Sequence, residues 1–311
     1  MGVALGLGAA LCWGLADYFA AVASRSIGAL RVVLGFHLVA LLPLGTLVLA
    51  TDGLARVDAA QVWILVLVGA TGWMSYLAFY GALAIGPISV LSPIVSGYAA
   101  VTAVLAVLFT GSRLSALQAG SVAITIAGAM FASADLRGLM RTRIRERSTL
   151  GVVLALGAMA LLGGFVFGVS YYRVRIGWLA PIFLARGFAA LFLLGHVLID
   201  GGRRPVAESR EPGFADLDAG EPGPVGGASD RRRLKLALII ALLAVLDTGG
   251  YVCFNLGVGH AATAIVAAAS APYALVPILM GVAILQERPT RSQWVGVGLV
   301  IAGVITLGAV T

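Results

Sequence analysis

The sequence predicts an all-α polytopic membrane protein: ten transmembrane helices arranged as two inverted five-helix repeats. Three observations carry this. First, 60% of the 311 residues are hydrophobic and only 11% are charged, where a soluble globular chain carries about 25% charged residues; mean hydropathy is +1.01. Second, the chain contains many apolar runs of the roughly 20 residues that a bilayer helix needs. Third, the sequence resembles itself at two offsets.

The runs give ten spans: Val3–Ala23, Ala29–Ala50, Val62–Ile85, Pro87–Phe109, Ala116–Ala134, Leu150–Tyr172, Trp178–Ile199, Leu236–Gly257, Ala261–Leu285 and Gln293–Val310. Helices are expected because a lone span in lipid must satisfy its own backbone hydrogen bonds; the runs lack the alternation of barrel strands. The first span is expected not to be a cleavable leader, since no basic segment precedes it. Residues 200–233, rich in Gly, Pro and charge, are expected to be a disordered loop between the seventh and eighth spans.

Self-similarity divides the chain. Gly2–Gly14 matches Gly151–Gly163 at an offset of 149, and the register continues to Ile27–Gly28 against Ile176–Gly177. At an offset of 175, Tyr76, Phe79, Tyr98, Arg113, Gln118 and Gly128 match Tyr251, Phe254, Tyr273, Arg288, Gln293 and Gly303. The expected organisation is a first repeat at 1–135, a basic connecting loop at 136–149 and a second repeat at 150–311. Five spans is an odd number, so the second repeat enters the membrane from the opposite side, the arrangement of many secondary transporters. The loops after the odd-numbered spans carry 15 of the 21 Lys and Arg residues, which by the positive-inside rule places both termini outside.

Charge in hydrocarbon costs about 2.5–3.5 kcal/mol on insertion scales, so intramembrane ionic groups are functional candidates. Four lie in the spans: Asp17, Arg31, Arg186 and Asp247. Asp17 shares a helix face with Trp13, four residues earlier. Asp247, Tyr251 and Asn255 form one stripe, and the offset equates them with Gly72, Tyr76 and Tyr80. Val166 occupies the slot of Asp17, so each half carries one carboxylate of its own. Arg186 and Asp247 lie about 20 and 17 Å from the same loop at 1.5 Å per residue, a depth at which they can pair. Arg31 can snorkel to its helix end or reach Asp17. Ser89, Ser92 and Ser96 surround Pro93; Thr263, Ser270, Tyr273 and Pro277 share a face beside Pro272. Proline-interrupted helices free backbone carbonyls for substrate. The expected substrate- and ion-binding set is therefore Asp17, Asp247, Arg186, Trp13, Tyr76, Tyr80, Tyr251, Asn255, Ser92, Ser96 and Tyr273. His37 and His196 are lone histidines, read as packing.

Other classes find no support. Cys12 and Cys253 make no disulfide framework or zinc spacing, and no metal, cofactor or catalytic residue is expected. Asp247-Thr248-Gly249 matches an aspartic-protease tripeptide, but that chemistry needs a second matched aspartate in a wet cleft, and Asp17 has no such motif. The net charge of +7 sits in short loops and serves orientation rather than nucleic acid.

Cys12-Trp13-Gly14, the arginines Arg31 and Arg186 early in their spans, "LQERPTRSQWVGVGLVIAGV" (Leu285–Val304) and its first-half copy "FTGSRLSALQAGSVAITIAGA" (Phe109–Ala129) resemble the drug/metabolite transporter superfamily, in its EamA-like ten-helix family. Ser112 departs from the family's glutamate, which Glu287 keeps. The resemblance implies a non-enzymatic carrier in the cytoplasmic membrane that moves a small metabolite, an amino acid or related amphipathic compound, by alternating access and mostly outward. It also implies cytoplasmic termini, opposite to the charge count. Expected partners are the small-molecule substrate, protons and the lipid bilayer; no nucleic acid is expected, and the chain is a monomer or a homodimer, with Gly298 and Ala302 as a small-residue contact. The alternatives are an intramembrane enzyme using the paired aspartates and an uptake carrier of the same fold.

Overall fold

A computed structural model describes residues 1–51, 53–85, 88–111, 114–133, 147–199, 227–276 and 291–310. Among them there is no strand. The helices are α1 (Gly2–Ile27), α2 (Ala29–Ala50), α3 (Ala59–Ile85), α4 (Ile88–Ser96), α5 (Tyr98–Thr110), α6 (Ala116–Ser133), α7 (Arg147–Ile176), α8 (Leu179–Ile199), α9 (Gly227–Val258), α10 (Thr263–Ser270) and α11 (Arg291–Ala309), with a 3₁₀ turn at Ala271–Ala274. The expected disordered loop falls mostly outside the described residues, as do Ser112, Pro277 and Glu287; so do the side chains of Ser89 and Pro93.

Six helices, α1, α2, α3, α7, α8 and α9, are long and apolar enough to cross a bilayer, and α5, α6, α10 and α11 carry shorter apolar stretches. Two expected spans are therefore broken rather than continuous. Pro87–Phe109 is α4 and α5, divided at Gly97. There the Gly97 N–H bonds the Ile94 carbonyl at 3.2 Å, a tightened i→i−3 turn. Ala261–Leu285 begins as α10 and passes at Pro272 into the 3₁₀ turn. The two breaks are equivalent under the offset of 175, which carries Gly97–Tyr98 onto Pro272–Tyr273.

Large apolar side chains such as Leu42, Leu49, Trp63, Leu67, Leu108 and Leu198 lie exposed, which suits a lipid solvent. The interior is a single main cluster including Phe36, Tyr80, Phe165, Ile182, Leu243 and Phe254. Around it α1 runs along α9 and α3 along α7, while α2 meets α8, α5 meets α10 and α6 meets α11. Small residues allow the close approaches. A Cβ on Gly14 would stand 2.5 Å from Val276 Cβ and would strike the Tyr273 carbonyl; one on Gly163 would stand 2.5 Å from Val101 Cβ and 3.0 Å from the Tyr98 carbonyl. Gly14 and Gly163 are equivalent, and so are the residues they touch.

Gly28 joins α1 to α2 with φ +86°, and Gly177 joins α7 to α8 with φ +84°. Each glycine N–H bonds the carbonyl four residues back, Ser24 and Arg173, at 2.9 Å. A Cβ at Gly28 would meet nothing within 4 Å, so space does not select glycine; the backbone region does. Gly28→Ala is expected to lower stability by about 1–3 kcal/mol. Gly164→Ala, in open helical space, is expected to leave it unchanged or slightly raised. Denaturant unfolding of both variants in detergent checks the contrast.

Candidate functional site

The interior polar groups meet at one place. On α1, Trp13 and Asp17 point inward one turn apart. Tyr76 and Phe79 come from α3, Leu162 and Val166 from α7, Asp247 and Tyr251 from α9, Tyr98 from the start of α5 and Tyr273 from the 3₁₀ turn. Together they line a cavity of about 30 Å³, room for a water or two. The offsets pair eight of these ten residues: Trp13 with Leu162, Asp17 with Val166, Tyr76 with Tyr251, and Tyr98 with Tyr273. The cavity is thus lined mostly by positions that the two sequence offsets match.

One wall is an ionic cluster. Arg186 on α8 forms an ion pair with Asp247 on α9, through Nη2 and Oδ2; the side chains are 1% and 5% exposed. The second carboxylate oxygen, Oδ1, accepts the Tyr76 hydroxyl at 2.9 Å. The Tyr251 hydroxyl lies 3.2 Å from that of Tyr76. The Trp13 indole N–H donates to the Asp247 backbone carbonyl at 3.2 Å. The guanidinium lies 5.1 Å from the Tyr251 ring centre and 5.9 Å from that of Phe36, within cation–π range. Residues of α1, α3 and α8 thus converge on a single turn of α9, with Phe36 of α2 beside the guanidinium.

The other carboxylate is different. Asp17 is 7% exposed, and its Oδ2 has no hydrogen-bond partner. Arg31 does not serve it: that side chain is exposed, so of the two positions open to it from the sequence, the structure has it at the helix end. Aromatic rings crowd the space around the cavity. Trp13 meets Tyr251 edge-on with centroids 4.9 Å apart, and Tyr98 with centroids 6.0 Å apart; Tyr98 lies 5.7 Å from Tyr273. The Tyr98 hydroxyl is bonded to Ser270 Oγ at 2.7 Å.

Six of the eleven expected binding residues therefore line the cavity, and Arg186 sits behind Asp247. Four do not line it. Tyr80 is buried beside Phe36 and Tyr76. Asn255 is buried one turn beyond Tyr251, donating to the Tyr251 carbonyl at 2.9 Å while its Oδ1 is unpartnered. Ser92 and Ser96 are buried on α4. The sequence reading missed Phe79, Tyr98, Leu162 and Val166. The repeat was the signal for three of them, each being the equivalent of a residue already chosen. His37 is buried, its Nδ1–H bonded to the Val33 carbonyl at 2.8 Å and its ring 5.2 Å from Tyr76, while its Nε2 has no hydrogen-bond partner. Among the described residues no group of His, Cys, Asp and Glu is placed to hold a metal ion.

Fold and site define a polytopic helical membrane protein with a polar centre. The profile of the EamA-like transporter family matches residues 1–134 and 149–309; the chain belongs to this family, consistent with the drug/metabolite transporter superfamily. Membership makes it a multi-pass protein of a transporter family, with a small-molecule substrate and a lipid surround. No curated protein matches it. A solved crystal structure, described only as that of a protein, is similar over 99% of this chain and 96% of that one, with a TM-score of 0.69 and 14% identity, a likeness of fold alone.

Removing one member of a buried ion pair leaves the other charged and unpaired, at a cost of about 3–5 kcal/mol. Arg186→Met is expected to lower stability by that order, and Arg186→Met combined with Asp247→Leu to restore most of it. Thermal unfolding of the purified single and double variants measures the coupling.

Proposed function

We propose that this protein is a secondary transporter that carries a small amphipathic metabolite, an amino acid or related compound, out across the cytoplasmic membrane by alternating access. The observation that carries the reading is the cavity: a carboxyl group whose Oδ2 has no hydrogen-bond partner and a second one held by arginine, both buried in the interior of a helical membrane protein. Intramembrane charge of this kind marks substrate and ion pathways.

The ten-span, inverted two-repeat architecture is part of the proposal, with repeats at 1–135 and 150–311. It is supported by the two stretches that the family profile matches. The packing supports it too: α1 on α9 answers α7 on α3, and α2 on α9 answers α8 on α3, while α2–α8 and α6–α11 answer themselves. Two similar bundles of this kind rock about a shared centre, exposing it to each side in turn. Asp17 holds the substrate's cationic group, or a proton when the cavity is empty. Asp247, paired with Arg186, holds the wall on which Tyr76, Tyr251 and Trp13 are positioned. The drive is an ion gradient or the substrate's own gradient. Gly298 and Ala302 offer a contact face should the protein work as a homodimer.

Reconstitution into liposomes tests the reading. Counterflow of unmodified labelled solute from a metabolite panel is expected; conversion of the solute into a product would instead favour an intramembrane enzyme. Asp247→Asn is expected to abolish counterflow while the protein still reaches the membrane, and full counterflow by that variant would remove Asp247 from the mechanism.

A further inference from the structure

The two carboxylates of the cavity are not equivalent, and the difference bears on what the cavity accepts. Asp247 has a full set of partners: the guanidinium of Arg186 and the hydroxyl of Tyr76. Asp17 is more than nine-tenths buried, lines the same cavity and leaves Oδ2 without a partner. With the Arg186 and Asp247 charges cancelling, Asp17 is the carboxyl group of the lining left to take a proton or a cation. A buried carboxylate is costly unless it is paired, so Asp17 carries its charge in this site only with a cationic group beside it.

The remaining lining fits such a group. Trp13, Tyr98, Tyr251 and Tyr273 surround the cavity with ring faces and edges, and cations are drawn to aromatic faces within about 6 Å. Opposite Asp17, the equivalent positions in the second half carry Val166 and Leu162, which offer an apolar wall and no polar atom.

What is missing is equally informative. Among the described residues lining the cavity there is no lysine, arginine or histidine. Arg186 has unpartnered Nε and Nη1 atoms, but it is 1% exposed and lies outside the lining, against Asp247. A substrate carboxylate taking Asp247's place on it would have to displace Asp247. An amino acid would therefore bring its own carboxylate next to Asp17 with no cation to receive it, and like charges in a desolvated site repel.

We propose that the cavity recognises an organic amine with a single cationic head, an apolar or aromatic body and no free carboxylate, the ammonium bound at Asp17 within the aromatic ring cluster and the body lying toward Leu162 and Val166. This rests on the transporter reading and narrows its substrate class from amino acids to amines. The cavity has the volume to hold the head alone, so the body is accommodated as the helices separate during transport.

Thermal unfolding of the purified full-length protein in detergent, titrated with phenethylamine, phenylalanine and 2-phenylethanol, tests this. These share one aromatic body and differ in charge. Phenethylamine is expected to stabilise the protein at a concentration at least about tenfold lower than either of the others, the scale of one well-placed charged contact. Asp17→Asn is expected to lose that preference, and Asp17→Glu to keep a measurable shift. Phenylalanine acting as well as phenethylamine, no shift with any ligand, or an unchanged amine response in Asp17→Asn would each overturn the proposal. The ligand comparison on the unaltered protein decides the matter even where a variant does not fold. Counterflow in liposomes separates the two claims, using labelled phenylalanine and phenethyltrimethylammonium, whose fixed charge keeps it from leaking through lipid. Amine binding through Asp17 without exchange of either solute would leave the site standing and sink the transporter reading. Exchange of phenylalanine alone would do the reverse.

Discussion

The ion pair between Arg186 and Asp247 is the constraint around which the centre of the molecule is organised. A single charge at that depth would be expelled or neutralised; two opposite charges in contact, with hydroxyl and aromatic neighbours, are tolerated. The pair ties α8 to α9. Through Tyr76 it draws in α3, and through the Trp13 indole on the Asp247 carbonyl it draws in α1. Four helices are thus registered by contacts to one residue. Because Asp247 takes Arg186, that arginine is not left for Asp17, and the charge balance among the described cavity residues follows from that single pairing.

The scaffold around this pair is close to symmetric, and its chemistry is not. Gly28 and Gly177 make the same turn, and Gly14 and Gly163 make the same close approach to equivalent carbonyls. Tyr76 faces Tyr251, and Tyr98 faces Tyr273 across 5.7 Å between ring centres. Against that background three positions have diverged: Asp17 stands opposite Val166, Trp13 opposite Leu162, and Asp247 in the slot that Gly72 fills in the first half. Gly72 stays small because Phe165 occupies its space, with a ring carbon 2.7 Å from where a Cβ would stand. In the proposed two-repeat reading, the frame thus has one polar end and one apolar end, matching the proposed substrate with a charged head and a greasy body.

Much of this was legible in the sequence. The run Ala29–Ala50 is bounded by a glycine and by polar residues, and α2 has those limits. Asp17, Asp247 and Arg186 were legible because charge is rare where everything else is apolar, and Trp13, Tyr76 and Tyr251 because helical spacing places them beside those charges. The breaks at Gly97 and Pro272 were not legible as breaks, since an apolar window reads the same whether the backbone runs on or tightens. At Gly97 the difference is a hydrogen bond that reaches back three residues instead of four. Asn255 and Tyr80 continue the stripes at i+4, but the cavity is about one helical turn high, so the stripes run past it into packed protein. Phe79 adds apolar lining that no charge announces. Leu162 and Val166 are ordinary residues in an apolar run, informative only through their repeat partners.

The account turns on Asp17 bordering a space that water enters from each side of the membrane in turn. Its most direct test is Asp17→Cys in a protein whose Cys12 and Cys253 are replaced by alanine, labelled in oriented vesicles by a thiol reagent that does not cross lipid. Labelling from both faces, each prevented by a ligand that fills the cavity, is the result the account predicts. A thiol that reacts from neither face, in a protein shown to be folded, would contradict it.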